Sequence, residues 1–407
     1  MYRGINMKIA FLHISDLHLK DNNGVNIFQL EKLTDTLNNS RSMKHLFIII
    51  TGDSTFSGGA HQFEHVYHTI GRIISLLREK HRFSENISVC CVPGNHDVDH
   101  SAGIMNSQTL QELRKTNSYG KCLEQEAEKQ TNFYNFASKN NCFTDDKYLS
   151  QCIVDIDGFN IEVNMINSAI FSIFDEDKGL HYIPDYCINK LNSPTSANFV
   201  ISIIHHAPDW YTDLQKNKLE MVLYSKSSLV FLGHEHHSGT KSMHIDDNAG
   251  VFIQAGGCLC NNDDWSQSEY HVGVFDTFNY SYDLKSYSWE ATGNLYVAKN
   301  KKIYTLTDKP STERSLMATT SFLKNLKSDS KRPLNDDYQK YYVFPRIQRE
   351  KRDDAPGKEF IDEKAFIDEL IEKKRVIITG TYNSGKTTLL KNIFLMFPTD
   401  IQPYFAI

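Results

Sequence analysis

Five short apolar runs constrain the fold of this chain more than any other feature. The runs are Lys8–Ile14, Leu46–Ile50, Ile87–Val92, Phe199–Ile204 and Ser228–Leu232. Continuous apolar runs of this length are typical of strands buried on both faces, which occur where helices cover a sheet. Between the second and third runs, the segment Val66–Leu77 has the spacing of an amphipathic helix. The alternation of such segments predicts an α/β fold, a sandwich of strands and covering helices.

The character of the chain changes at about Asp308. A length of 407 residues exceeds one ordinary domain. We therefore predict a first domain over 1–300 and a linker over 301–358, which is rich in Lys, Arg, Asp, Ser and Pro. The remaining segment, 359–407, begins with an expected amphipathic helix over Glu359–Lys374, followed by a strand over Val376–Thr379.

Composition excludes several classes of protein. Hydrophobic residues make up 40% of the chain, which is too many for a wholly disordered protein. The net charge of −6 weakens the case for binding nucleic acid by charge alone, although bound metal ions would add positive charge. No apolar run approaches the ~20 residues of a membrane helix. The eight cysteines include no CxxC pair. We expect a soluble cytoplasmic protein without a signal peptide or membrane contact.

The residues that come after the five apolar runs are of a few polar types. They are, in chain order, Asp16 and His18, then Asp53, then Asn95, His96 and Asp97, then His205 and His206, and finally His234 and His236. Ligands of an open α/β sheet gather beyond the carboxyl ends of its strands, so we expect these side chains to converge. Two of the pairs are spaced two apart, and an extended backbone would point both members the same way.

This combination of side chains predicts a metal centre. Carboxylates, an amide oxygen and imidazoles form a mixed nitrogen and oxygen shell that suits Zn, Mn or Fe better than Ca. Two ions about 3.5–4 Å apart can clamp both oxygens of an in-line phosphoryl displacement and activate the attacking water. The pattern therefore predicts two divalent transition-metal ions as cofactors.

Taken in order, the motifs Asp-x-His, Gly-Asp, Gly-Asn-His-Asp, His and Gly-His-x-His resemble the calcineurin-like metallophosphoesterase superfamily over roughly Lys8–Ser288. The resemblance implies a metallophosphoesterase β-sandwich flanked by helices. It implies that one metal is held by Asp16, His18, Asp53 and His236, and the other by Asp53, Asn95, His205 and His234. It further implies that His96 is the catalytic histidine and that Asp97 orients it.

Some assignments remain open at this point. The family uses the first histidine of the pair, and strand alternation lets only one of His205 and His206 face the metals, so His205 is preferred. Trp210 and Tyr211 either stack on a base or pack in the core. His181 and the other histidines outside the motifs are expected to be ordinary core or surface residues, and Glu235 a bystander.

The same motifs indicate a branch of the superfamily. The stretch GDSTFSG lacks the phosphate-binding arginine that Ser/Thr protein phosphatases carry after the equivalent of Asp53. It is more similar to the phosphodiesterase and nuclease branches. The resemblance therefore implies a phosphodiester substrate, in a nucleotide or a nucleic acid.

A second motif stands near the C-terminus. The segment Gly380–Thr387 reads GTYNSGKT, between an apolar strand and an apolar helix, and is typical of a P-loop. Gly380 and Gly385 would let the backbone cradle phosphates, while Lys386 and Thr387 would contact ATP and its Mg²⁺. The segment resembles the opening of a STAND-type NTPase, and we expect an incomplete domain of a longer protein.

These motifs are consistent with two functions. The first is a phosphoesterase that serves as the effector of an NTP-regulated defence protein, by analogy with such architectures. The alternative is an NTP-binding regulatory switch in which the phosphoesterase fold is an interaction module. Degenerate modules lose metal ligands, and this chain retains the whole set, which favours the enzyme. Oligomerisation through the NTPase region is left open.

Overall fold

The computed structural model of the chain describes residues 7–21, 26–37, 43–81, 86–102, 105–116, 118–142, 146–173, 176, 178–236, 239–246, 249–260 and 265–306. Of the remainder it describes residues 345, 347–348, 360–362, 365–366 and 389. The chain divides into two compact units, Met1–Arg314 and Ser315–Ile407.

Strands and helices alternate through most of the first unit. Its strands are β1 (Lys8–Ile14), β2 (Met43–Ile50), β3 (Ile87–Cys91), β4 (Leu149–Ile156), β5 (Phe159–Ile166), β6 (Phe199–Ile204), β7 (Leu229–Leu232), β8 (Gly239–Asp246), β9 (Ala249–Ala255), β10 (Glu269–Asp276), β11 (Ser281–Glu290) and β12 (Leu295–Thr305). Its helices are α1 (Ile27–Asp35), α2 (Ala60–His81), α3 (Ser107–Thr116), α4 (Leu123–Glu128), α5 (Thr131–Lys139), α6 (Asp185–Leu191) and α7 (Asp213–Lys226).

These strands form two six-stranded sheets. The first has the order β12-β11-β10-β1-β2-β3, and the second has the order β4-β5-β6-β7-β9-β8. Strands β1, β2 and β3 are parallel, as are β5, β6, β7 and β9. The carboxyl ends of parallel strands meet at one edge of their sheet, so each sheet brings several loops together at such an edge.

The two sheets pack face to face through aromatic side chains. The ring centroids of Phe11 in β1 and Phe231 in β7 are 5.8 Å apart, and those of Phe199 in β6 and Phe275 in β10 are 4.2 Å apart. Strand β7 shows why its run is apolar throughout. Phe231 joins this inner core, while its neighbour Val230 packs into a second core with α6 and α7. The predicted α/β sandwich is confirmed.

The C-terminal unit is described only in part. Strands β13 (Ile347–Gln348) and β14 (Phe360–Ile361) pair antiparallel there. Strand β14 lies where the sequence predicts the start of a helix, and Ala365 and Phe366 are the helical residues described nearby. In the first unit, β12 continues to Thr305, past the boundary expected at residue 300.

The P-loop falls outside the described residues. This applies to Gly380, Gly385, Lys386 and Thr387, and to the strand expected at Val376–Thr379. Within the described part of the chain, no helix has the length and apolarity needed to cross a bilayer.

Candidate metal centre

Backbone hydrogen bonds fasten the loops at the ends of the parallel strands to one another. The N–H of Asp16 donates to the carbonyl of Gly52 at 3.1 Å, and the N–H of His18 donates to the carbonyl of Asp53 at 3.0 Å. In the second sheet, the N–H of Gly233 donates to the carbonyl of His205 at 3.0 Å. The loops therefore hold the side chains predicted as ligands in fixed positions.

One group of these side chains consists of Asp16, His18, Asp53 and His236, whose candidate ligand atoms all lie within 4.8 Å of one another. Oδ1 of Asp16 is 3.4 Å from Nε2 of His236 and 3.9 Å from Nε2 of His18. Nε2 of His18 is 4.0 Å from Oδ2 of Asp53. We call these four residues the first cluster.

A second group shares Asp53 with the first. Nε2 of His205 lies 3.4 Å from Oδ2 of Asp53, 3.3 Å from Oδ1 of Asn95 and 3.2 Å from Nδ1 of His234. Nδ1 of His234 is 3.2 Å from Oδ1 of Asn95. Asp53, Asn95, His205 and His234 form the second cluster, so one carboxylate oxygen faces both clusters.

When the imidazole rings are neutral, lone pairs face one another in these clusters. Nδ1–H of His205 donates to the carbonyl of Thr51 at 2.5 Å, so in the neutral ring Nε2 presents a lone pair to Asp53. Oδ1 of Asp16 and Oδ2 of Asp53 are buried and have no hydrogen-bond partner among the described residues. A buried acceptor without a donor is costly, and a cation compensates it. The donor set therefore fits divalent metal ions.

The pKa shifts in the ion-free clusters also favour a bound cation. Burial and the charge of Asp53 raise the pKa of Asp16 to about 7. Burial would also raise the pKa of Asp53, but His205 holds it well below its usual range. In turn, burial opposes protonation of His205, yet the Asp53 carboxylate raises its pKa to about 10. Without metal, a proton on His205 balances Asp53, and a bound cation would replace that proton.

Five of the predicted ligands adopt a left-handed backbone conformation. The φ angles are 51° at Asp16, 46° at His18, 50° at Asp53, 73° at His234 and 55° at His236. This corrects the expectation of an extended backbone at the pairs Asp16/His18 and His234/His236, because both pairs lie beyond the end of a strand and not within it. Such conformations cost non-glycine residues roughly 1–2 kcal/mol each, and they are typical of functional sites.

Two glycines allow the loops to approach so closely. A Cβ at Gly94 would lie 2.5 Å from the backbone nitrogen of Asp53 and 2.7 Å from Cε1 of His205. Gly52 has a φ of 96°, and a Cβ there would lie 2.5 Å from Nδ1 of His205. The Gly-Asp and Gly-Asn-His-Asp motifs thus need glycine for space beside the clusters.

His96 lies partly exposed beside the first cluster. Its N–H donates to Oδ1 of Asp53 at 2.8 Å, and its ring centroid is 4.6 Å from that of His18. Nδ1 of His96 is 2.9 Å from the carbonyl of Phe56, so this nitrogen carries hydrogen and donates. His96 is therefore close to the proposed ligands while its Nδ1 is engaged elsewhere.

Asp97, which is expected to orient the His96 ring, binds the backbone of the neighbouring loops. Its buried carboxylate accepts hydrogen bonds from the N–H groups of Gly94 at 3.0 Å, Ser54 at 3.2 Å and Thr55 at 2.8 Å. It also accepts from the hydroxyl of Thr55 at 3.0 Å. Asp97 thus joins the loops after β2 and β3, and the Phe56 carbonyl faces the ring of His96. A short carboxylate in a tight turn reaches backbone N–H groups more readily than its neighbour's side chain.

The structure separates the two histidines at the end of β6. His205 faces Asp53, whereas Nε2 of His206 lies 2.8 Å from Oε2 of Glu176. Nε2 of His181 lies 3.3 Å from Oε1 of the same carboxylate. His181, expected to be an ordinary histidine, is thus part of a polar cluster. Neither it nor Glu176 belongs to a motif, so no local signal could have identified them.

The aromatic pair after β6 packs in the interior. Trp210 is 9% exposed and Tyr211 is 1% exposed. The Trp210 ring lies 4.3 Å from that of His234, and its Nε1–H donates to Oε1 of Glu235 at 3.2 Å. Their burial favours the packing interpretation over stacking on a base.

Comparison with solved structures finds distant similarities. The calcineurin-like phosphoesterase YfkN from Bacillus subtilis is 10% identical, with a TM-score of 0.34, 79% of this chain covered and 96% of that one. A novel phosphatase from Mycoplasma pneumoniae is 9% identical, with a TM-score of 0.33 and coverage of 75% and 96%. Vps29 complexed with Zn²⁺ from Entamoeba histolytica is 10% identical, with a TM-score of 0.30 and coverage of 72% and 97%.

A comparison with curated proteins gives no match. The family model described as calcineurin-like phosphoesterase matches residues 9–238, which is more than half of the chain. The match contains all five motifs at the strand ends. The chain belongs to the calcineurin-like phosphoesterase family.

Proposed function

We propose that the protein is a dinuclear metal-dependent phosphoesterase that hydrolyses phosphodiester bonds in a nucleotide or a nucleic acid. One observation carries this proposal. Oδ2 of Asp53 is buried and has no hydrogen-bond partner in the described part of the chain, and it lies 4.0 Å from Nε2 of His18 and 3.4 Å from Nε2 of His205. A single carboxylate between two clusters is the arrangement that two neighbouring metal ions require.

The proposed ligands divide between two ions. The first cluster, Asp16, His18, Asp53 and His236, would hold one, and the second cluster, Asp53, Asn95, His205 and His234, would hold the other. When bound, such ions neutralise the ester oxygens and activate the attacking water. The chain's own contribution is to orient the ligands, and Thr51 does this for His205 by accepting its Nδ1–H at 2.5 Å.

His96 is the proposed general acid. Because its Nδ1–H donates to Phe56, the proton exchanged with substrate must be held at Nε2. Protonated at Nε2, the ring can give a proton to the oxygen of the leaving alcohol. The hydrogen bond from the backbone N–H of His96 to Oδ1 of Asp53 holds the His96 backbone beside the proposed bridge.

The choice of a diester rests on the fourth residue after Asp53. Ser57 occupies the position at which Ser/Thr protein phosphatases carry an arginine for the dianionic phosphate. A diester carries one negative charge and needs less cationic support than a monoester. Lys20, whose Nζ lies 4.6 Å from the ring centroid of Phe56, is a cation on this side of the loops.

The test replaces the proposed bridge. Asp53→Asn in Mn²⁺-loaded protein should lower hydrolysis of bis(p-nitrophenyl) phosphate by more than the roughly 10–100-fold typical of an outer-shell change. Asp157→Asn is the matched control, because Asp157 has a similar φ, 52° against 50°, and is exposed in the turn between β4 and β5. Equal activity in the two variants would refute the bridge.

A substrate panel separates the finer alternatives. We expect the Mn²⁺-loaded protein to cleave the diester faster than p-nitrophenyl phosphate. Cyclic nucleotides, DNA and RNA, each single- and double-stranded where that applies, would then identify the natural class. A preference for the monoester would contradict the diester assignment while leaving the metal centre intact.

For the C-terminal segment we propose nucleotide binding at the P-loop, with NTP-dependent control of the phosphoesterase. The support is the motif Gly380–Thr387 in its strand and helix context. The role as effector of a defence protein rests only on the analogy of architecture.

A further inference from the structure

A buried carboxylate beside the second cluster is surrounded by imidazoles. The Glu176 side chain is 4% exposed, and its oxygens lie 2.8 Å from Nε2 of His206, 3.3 Å from Nε2 of His181 and 3.9 Å from Nε2 of His234. The side chains of His181 and His206 are 4% and 0% exposed. Within the described part of the chain, Glu176 forms ion pairs with these three histidines and with no lysine or arginine.

Ser168 orients the two nearer rings toward this carboxylate. Its carbonyl lies 2.9 Å from Nδ1 of His181, and its hydroxyl lies 2.9 Å from Nδ1 of His206. The same hydroxyl accepts the N–H of His206 at 3.1 Å. With both Nδ1 atoms held by one residue, both Nε2 atoms point at Glu176.

The tautomer of His181 leaves two acceptors facing each other. A carbonyl can only accept, so Nδ1 of His181 must carry the hydrogen, and Nε2 of the neutral ring has a lone pair. That lone pair faces Oε1 of Glu176 at 3.3 Å, and this oxygen is buried without a hydrogen-bond partner among the residues that the structure describes. Such a contact is unfavourable unless positive charge lies between the two atoms.

We propose that Glu176, His181 and His206 bind a third divalent transition-metal ion, in addition to those of the proposed dinuclear centre. Their ligand atoms all lie within 4.8 Å of one another. Two imidazoles and one carboxylate are a common zinc donor set, with ligand atoms at roughly 2.0–2.2 Å and one tetrahedral position left for water. Pairs of atoms around such an ion lie roughly 3–3.5 Å apart, which is close to the 2.8 Å and 3.3 Å found here.

The site uses ligand atoms that the second cluster does not use, but it lies next to that cluster, because ligand atoms of His205, His206 and His234 also fall within 4.8 Å of one another. His205 presents Nε2, and His234 presents Nδ1, to Asn95. His206 presents Nε2 to Glu176, on the other side of the His234 ring. The competing arrangement is a proton on Nε2 of His181, which would make an imidazolium–carboxylate pair with Glu176 and need no metal.

The amount of bound zinc distinguishes a metal ion at Glu176 from a proton on Nε2 of His181. Wild type, Glu176→Gln and Glu64→Gln are dialysed against Zn²⁺, freed of excess ion and measured by elemental analysis. Glu64 is the matched control, since it pairs with His61 at 3.4 Å with both side chains exposed. We expect Glu176→Gln to hold one ion per chain fewer than wild type, and Glu64→Gln to equal it. Equal zinc in Glu176→Gln and wild type overturns the third site.

Anomalous diffraction at the zinc edge locates each bound ion. Because it can be measured on wild-type crystals, it does not require that a variant folds. Zinc-loaded wild-type crystals should show a peak between Glu176, His181 and His206, and its absence overturns the proposal. If Glu176→Gln loses an ion from His205 and His234 instead, Glu176 positions His234 and the third site is refuted.

The same measurement keeps this proposal distinct from the proposed function. Asp53→Asn should lose zinc from the first and second clusters and retain the peak at Glu176. A wild-type protein with a peak at Glu176 alone would refute the dinuclear centre and leave the third site standing.

Discussion

Asp53 uses its two carboxylate oxygens for different tasks. Oδ1 accepts the N–H of His96, and Oδ2 faces His18 and His205. The loop that carries the proposed acid is therefore attached to the residue that would bridge the ions. A change at His96 that spares its backbone should leave this attachment in place.

For that reason we expect His96→Ala to keep its metal and lose activity. The variant should be slower on a diester by about 10²–10⁴, the usual contribution of a general acid or base. His61→Ala is the control, since that side chain is 84% exposed at the start of α2. Rates and metal content are measured together, and metal lost in proportion to rate would mean that His96 is a ligand.

A second residue-scale prediction concerns acid stability. Burial lowers the pKa of His271 to about 4, from 6.5 for an ordinary histidine. The folded state therefore binds fewer protons than the unfolded state between these values. The stabilisation is fully present above pH 6.5 and is lost as the pH falls toward 4, by at most roughly 3 kcal/mol. His13, whose ring centroid lies 5.8 Å away, has its pKa lowered by burial as well.

Replacing His271 by Gln should remove part of this pH dependence. Urea unfolding at pH 7 and pH 5 gives the difference in unfolding free energy for each protein. We expect a smaller difference in His271→Gln than in wild type, with the exposed His61→Gln unchanged. The same difference in all three proteins would show that His271 does not carry the effect.

At the scale of elements, the parallel strands hold the bases of the loops in place, and the loops bring the proposed ligand side chains together. Strand β2 ends at Ile50 and strand β3 at Cys91, and the motif residues begin within four positions of each end. A rigid pair of parallel strands holds the loop bases, and Gly52 and Gly94 let the loops touch. The clusters therefore depend on the absence of a Cβ at Gly52 and at Gly94.

Gly94→Ala should consequently disturb the metal centre far more than the fold. Its Cβ would press on the backbone of Asp53 and on the His205 ring, so zinc binding should fall sharply. Gly71→Ala is the matched control, because Gly71 lies within α2 and no atom of the other described residues outside its own helix lies within 4 Å of the added Cβ. That control should gain roughly 0.5–1 kcal/mol of unfolding free energy. Normal zinc binding in Gly94→Ala would show that the loop can move aside.

At the scale of the whole molecule, the evidence for a phosphoesterase and the evidence for nucleotide binding come from different compact units. The family match lies within the first unit, and the P-loop motif lies within the second. We expect the full chain to bind ATP through Lys386, and Lys386→Ala to weaken that binding at least tenfold, with Lys391→Ala unchanged. Isothermal titration with ATP and Mg²⁺ measures this. Equal affinities in the three proteins would mean that the motif is incidental.

The sequence by itself predicted five of the sheet strands and pointed to the seven residues that we propose as metal ligands. Five apolar runs lie in β1, β2, β3, β6 and β7, and each is succeeded by its motif within a few residues. Both signals are local, since burial on two faces makes a strand apolar and a strand end exposes the next residues. The order of the motifs predicted the family, and the match over residues 9–238 confirms it.

Only the tertiary structure decided how these residues meet. It turned His205 toward Asp53 and His206 toward Glu176, placed Asp16 and His18 in a left-handed backbone, and directed Asp97 to the loops. It also brought Glu176 and His181 to His206 across 30 and 25 residues of sequence. These outcomes depend on contacts between loops of different strands, and such contacts leave no periodic or local pattern in the chain.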